Sequence, residues 1–176
     1  MSTSTGTPLD FILGRRSVRV YSPGEVSEAV VTQMLEAAAA APSAMTKDPW
    51  RFVLVRDRQM LSKLSSLHPG AAMLATAAMA IMVCGDLDAA FERNVAYLLQ
   101  DCSAATENLL LAAHALGLGA CWVGVYPGEP VVKRVKEWLG LPGTVIPVAV
   151  ISIGKPGEQL APRTRLHPSQ VHREKW

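Results

Sequence analysis

Three arginines and a serine fall within six residues, Gly14-Arg15-Arg16-Ser17-Val18-Arg19, directly after the apolar run Leu9-Asp10-Phe11-Ile12-Leu13. In an extended or turn conformation alternate side chains point the same way. Arg15, Ser17 and Arg19 can then converge while Arg16 and Val18 turn elsewhere. Such a face suits a phosphate, since planar guanidiniums give bidentate charge-assisted bonds and the hydroxyl adds one more donor. Taken alone, the run fits a solvated basic turn as well as a binding site.

Other residues with chemical potential point nowhere as clearly. Gly117 and Gly119, with Gly124, lack dinucleotide-loop spacing, and they precede a strand instead of opening a helix. His68, His114, His167 and His172 show no metal-ligand spacing with the cysteines, so no metal is expected. Cys102 has no neighbouring base, and Cys84 stands in an apolar strand, so both read as buried, inert thiols. Trp50 and Trp122 read as core. Asp101 and Glu107 read as polar positions of a long helix without a catalytic role.

The elements that must position these groups follow from periodicity. A helix is expected over 25–41, with Val26, Val30, Val31, Met34, Leu35 and Ala38 at helical spacing and Pro42 ending it. A stiff loop with prolines near both ends spans 41–50, after Tyr21-Ser22-Pro23-Gly24 as a turn. A strand over 51–56 leads to a helix over 57–66. The stretch 70–85 reads as a short alanine-rich helix running into a buried strand at 79–85, too short to span a membrane. A long helix over 95–116 has alanines that let a neighbour approach, and Gly117 to Gly119 stop it. A strand over 120–123, a glycine turn, a helix over 129–139 ended by Gly140 and a strand over 144–153 complete the order. Helices and strands mix without regular βαβ alternation, giving α+β with a sheet sandwiched by helices.

The chain has 176 residues, 49% hydrophobic and 18% charged, which fits one globular domain over 1–176 and excludes a disordered chain. Its net charge of +2 is too small for a general nucleic-acid binder. Three scattered cysteines and a polar start without a secretory pattern fit a soluble cytoplasmic protein with reduced thiols. The polar, proline-containing tail over 155–176 is expected to pack on a second subunit.

Four collinear motifs carry a resemblance: Arg15-Arg16-Ser17-Val18-Arg19 after a short helix, Ala41-Pro42-Ser43-Ala44-Met45 before Pro49-Trp50-Arg51-Phe52, Gly117-Leu118-Gly119-Ala120-Cys121-Trp122-Val123-Gly124, and Gly154-Lys155-Pro156 followed by Arg163-Thr164-Arg165. In this order, over nearly the whole chain, they resemble the FMN-dependent nitroreductase family, and its smaller members in particular. The resemblance implies a nitroreductase-like sandwich with a central mixed or antiparallel sheet, in an intertwined homodimer holding FMN at the subunit interface. Arg15, Ser17 and Arg19 would grip phosphate and ribityl, completed by Arg163 and Arg165. Arg16 would be a surface or inter-subunit pair close enough to add a backbone contact. Pro42, Ser43, Ala44, Met45 and Thr46 would come from the other subunit along the isoalloxazine. The turn at Val123 and Gly124 would present a backbone N–H to flavin N5. Arg19 is the candidate cation beside N1 and O2, where it would stabilise reduced flavin.

The implied activity is ping-pong transfer of hydride from NADH or NADPH through FMN to an electron-poor small-molecule acceptor, a nitroaromatic or a quinone. No side chain is expected to act as acid, base or nucleophile, because the cofactor supplies that chemistry. A protein that stores or delivers FMN with little turnover, and a relative acting on flavin itself or on halogenated aromatics, are the alternatives. Two positions depart from the family: Thr46 stands where Asn is common and Asp48 where Gln is common. Asp48 is expected to pair with Lys47 or Arg51, or to cap locally.

Overall fold

A strand that is apolar at every position has to be covered on both faces, and residues 79–85 form such a run. In the computed structural model, which describes residues 7–163 and 165–176, the run lies in β3 (Met79–Asp86), buried from Met79 through Gly85. β3 pairs antiparallel with β2 (Trp50–Val55) on one side and with β5 (Val145–Pro156) on the other. β5 also pairs antiparallel with β4 (Gly119–Gly124), and its last two residues pair with β1 (Tyr21–Ser22). Every ladder is antiparallel. The mixed character is confined to an isolated parallel bridge between Ser17 and Ala120.

Period-two alternation then sorts the core into two halves. Met79, Ile81 and Val83 of β3, with Ile151 and Ile153 of β5, meet α2 (Glu28–Ala39) and α4 (Val95–Ala115). Ala80, Met82 and Cys84, with Val150, meet α3 (Arg58–Ser65) and α5 (Glu129–Leu139). The result is an α+β sandwich of helix pair, sheet and helix pair. Met34, Leu98 and Leu109 are wholly buried, each worth about 1.5–3 kcal/mol of apolar transfer. Among the described residues, no helix is long and apolar enough to cross a membrane.

Several boundaries differ from those expected, each for a local reason. α2 begins at Glu28, not 25, because the Ser27 hydroxyl accepts the Val30 N–H (3.4 Å) and caps it. The expected helix after Gly70 is instead a 3-10 segment, Pro69–Ala75. The first two residues of the expected turn over 21–24 form β1, whose pairing carries β5 on to Pro156, and the chain bends at Pro23. α5 covers the expected 129–139 and stops where Gly140 takes a left-handed φ of 62°.

Candidate cofactor site

The basic segment is held between the two ends of the chain. It follows α1 (Pro8–Gly14), a short helix whose Thr7 and Asp10 cap each other and whose Leu9, Phe11, Ile12 and Leu13 are exposed. Phe11 stacks on His114 of α4, ring centroids 5.0 Å apart. Residues 17–18 then run along the free edge of β4, where the Val18 N–H donates to the Ala120 carbonyl (3.0 Å). From β1, the Tyr21 hydroxyl donates to the Val18 carbonyl (2.9 Å) and pairs with Ser152 Oγ (2.7 Å). Burial pushes the Tyr21 phenol pKa up, so this donor keeps its proton.

The tail returns to the same segment. The Gly157 N–H donates to the Val20 carbonyl (2.8 Å), and the Arg16 guanidinium donates to the Ala161 carbonyl. These contacts bring Arg163 and Arg165 beside Arg15, Arg16 and Ser17 around a cleft of about 490 Å³. An adjoining cleft of about 280 Å³ is walled by Arg16, Ser17, Arg19, Glu158, Arg163 and Arg165. Arg15 spends part of its charge on Glu107 of α4, with Nε 3.2 Å from Oε1. Arg16 lines both clefts, although strand alternation had aimed it elsewhere.

The residues that line these clefts decide what they can hold. Guanidiniums from two distant parts of the chain and one hydroxyl form a donor set with almost no acceptors, which is the chemistry of a phosphate site. The model called "Nitroreductase family" matches residues 12–68 and 65–155. This chain belongs to the nitroreductase family. It is 44% identical over 96% of its length to the Methanothermobacter thermautotrophicus protein named "Putative NADH dehydrogenase/NAD(P)H nitroreductase", covering 87% of that protein. A solved structure from Parabacteroides distasonis bearing the same name superposes with a TM-score of 0.90 at 38% identity, over 96% of this chain and 98% of that one. An FMN-dependent nitroreductase from Clostridium difficile superposes with a TM-score of 0.86 at 30% identity, over 96% and 99%.

The remaining nitroreductase motifs lie apart from the basic clefts within one chain. Neither Pro42 to Thr46 nor Val123 and Gly124 line them. The first of these forms a 3-10 turn (Ala44–Thr46) with Met45, Thr46 and Asp48 at φ of 50°, 54° and 47°. A left-handed conformation is uncommon in residues other than glycine and needs support. Support comes from α4, where buried Asp101 accepts the Ala44 N–H (2.9 Å) through Oδ1. Its Oδ2 has no partner among the described residues. Asp48 caps the loop locally: its carboxylate accepts from the Ser43 hydroxyl, which in turn accepts the Asp48 N–H (3.0 Å). Arg51 instead pairs with Asp86 (3.2 Å).

At Gly124 the backbone decides the arrangement. The Val125 N–H donates to the Val148 carbonyl (3.1 Å), so alternation turns the polar groups of Val123 toward β5 and those of Gly124 toward the outer edge. The Gly124 carbonyl, 3.1 Å from His68 Nε2, agrees. A Cβ at Gly124 would meet nothing within 4 Å, so the space in front of it is open.

Sequence reasoning missed Glu158, Tyr21 and His68. Their parts depend on contacts to Arg19, Ser152 and Gly124, which are 139, 131 and 56 positions away. No local spacing encodes those contacts. The cysteines match the inert reading: Cys84, Cys102 and Cys121 are free and buried. Burial pushes the Cys84 and Cys102 thiols up to about 12 and raises Cys121 as well.

Proposed function

We propose that this nitroreductase-family chain is an FMN-dependent NAD(P)H oxidoreductase that reduces an electron-poor acceptor, a nitroaromatic or a quinone, in a ping-pong cycle. The observation that carries the reading is the convergence of Arg16, Ser17, Arg163 and Arg165 on one cleft from segments about 145 positions apart. FMN, when bound, supplies the chemistry of accepting hydride and passing electrons on. The protein's part is to bind and orient. Arg15, Arg16, Ser17, Arg163 and Arg165 would hold the phosphate. Arg19 would lie toward N1 and O2, and the Gly124 N–H would be the backbone donor for N5, reached without a Cβ in the way.

The same reading makes the protein a homodimer. Exposed Leu9, Phe11, Ile12 and Leu13 of α1, and a shallow apolar groove formed by Phe11, Ala37, Ala40, Leu111, Ala112 and Ala115, supply apolar surface for a second copy. The Pro42–Thr46 loop would serve the partner's flavin, and the tail over 155–176 would continue onto the partner beyond its contacts with residues 16–20. Three free, buried cysteines fit a reducing, cytoplasmic setting.

The test is the visible spectrum of the purified protein, with mass identification of whatever denaturation releases, followed by NADH and NADPH oxidation with and without acceptor. Flavin bands, an FMN mass and acceptor-dependent turnover are expected. A protein that is colourless and takes up no added FMN would refute the cofactor reading. One that holds FMN without turnover would be a carrier.

A further inference from the structure

One side chain in the basic cleft has the wrong sign for a phosphate. Glu158 shares a wall with Arg16, Arg19, Arg163 and Arg165. Its Oε1 accepts from two successive backbone donors, the Arg19 N–H (2.6 Å) and the Val20 N–H (3.1 Å). Paired N–H groups of this kind ordinarily cradle a bound anion. Among the described residues Glu158 forms no ion pair with the arginines around it. Its carboxylate lines the cleft together with them. The two N–H donors hold its carboxyl below the usual carboxylate range, so the charge persists at neutral pH.

The carboxylate does two separable things. Mechanically, it pins the start of the tail to residues 19–20, next to the Gly157–Val20 hydrogen bond. That anchor sets where the chain leading to Arg163 and Arg165 lies. Electrostatically, its negative charge adjoins Arg16, Arg163 and Arg165, three of the guanidiniums that would hold the dianion.

We infer that Glu158 sets the phosphate affinity of the cleft, anchoring the tail through its oxygen while its charge weakens the hold on FMN. This rests on the FMN reading above. The consequence is a cofactor held less tightly than the arginines alone would hold it.

Glu158→Gln separates the two roles, because the amide oxygen can still accept both N–H groups while the charge is gone. Glu158→Ala removes both. Full-length protein freed of flavin is titrated with FMN and, as the control lacking phosphate, with riboflavin, at low and high salt. E158Q is expected to bind FMN at least about threefold more tightly than wild type at low salt, with the gap narrowing as salt screens it. Riboflavin should show no gain, and E158A should bind FMN more weakly than E158Q.

E158Q that binds FMN no better than wild type, or a gain shared equally by riboflavin, would overturn the electrostatic role. Equal binding by E158A and E158Q would overturn the anchoring role. Wild type that binds FMN beside an unmoved E158Q removes only this inference. Wild type that binds neither flavin removes the FMN reading and this inference together.

Discussion

Gly119→Ala probes whether the basic segment depends on close contact with the edge of β4. A Cβ at 119 would stand 2.7 Å from Val18 Cγ1, 2.9 Å from Val18 Cβ and 3.4 Å from Pro156 Cα. Ordinary contact begins at 3.4 Å, so Val18 must retreat by 3.4 − 2.7 = 0.7 Å. Rotation about χ1 cannot relieve a clash that includes Cβ itself, and valine is stiff there in any case. The backbone at 17–18 therefore moves outward and strains the Val18 N–H to Ala120 carbonyl bond (3.0 Å). Overpacking of this size costs about 1–3 kcal/mol. Gly119 is not among the positive-φ glycines, so alanine returns about 0.4–1 kcal/mol through the unfolded chain. The net loss is then about 0–2.6 kcal/mol, centred on about 1.3 kcal/mol. Because Arg15, Arg16, Ser17 and Arg19 ride on the displaced segment, FMN affinity should fall about tenfold, equivalent to about 1.4 kcal/mol. Urea denaturation measures the first loss and flavin titration the second. Adding Val18→Ala removes the Cγ1 contact but keeps the Cβ contact at 2.9 Å, so it should recover only part of both. A Gly119→Ala protein with wild-type stability and wild-type FMN affinity would refute the reasoning.

Arg165→Ala should weaken FMN binding by about tenfold or more, the value of a charge-assisted phosphate contact. Arg56→Ala should leave it unchanged, since Arg56 pairs with Glu28 at 2.9 Å outside both clefts; equal effects in flavin titrations would count against the site. The native protein should react with no thiol reagent at pH 8 and expose three thiols once unfolded. Folding holds the protons of Cys84 and Cys102 up to about 12, against an ordinary value of 9.0. Above about pH 9 the unfolded chain therefore binds fewer protons than the folded one, and stability should decline as pH rises toward 12. Rapid labelling of native protein at pH 8 would contradict the burial of these groups.

What could be read in the sequence was whatever depends on near neighbours. The edges of α5 follow from apolar spacing and from Gly140, and β3 follows from seven apolar positions that no half-exposed strand would carry. The concentration of guanidinium and hydroxyl donors over Arg15 to Arg19 was legible from residue types alone. Their geometry was not: Arg16 faces the clefts because the tail carbonyl of Ala161 draws its guanidinium, whereas Arg15 is drawn to Glu107. The expected turn over 21–24 lost its first two residues to β1 for a similar reason. Serine, proline and glycine after a tyrosine favour a turn locally, but Lys155 and Pro156 offer a strand to pair with. The positive φ at Met45 and Thr46 had no local signal either, since the compensating carboxylate, Asp101, lies on another element.

The position of β5 has a consequence for how the chain is made. β5 lies between β3 and β4 and also supports β1, yet it spans only Val145–Pro156. During synthesis β3 stays without one of its two neighbours, and its fully apolar edge is open to wrong pairing, until that late segment leaves the ribosome. The basic cleft closes later still, since it waits for Arg163 and Arg165. Uptake of cofactor thus reports that synthesis has passed Arg165. Products truncated before residue 145 should be cleared as unpaired, aggregation-prone chains instead of competing for flavin.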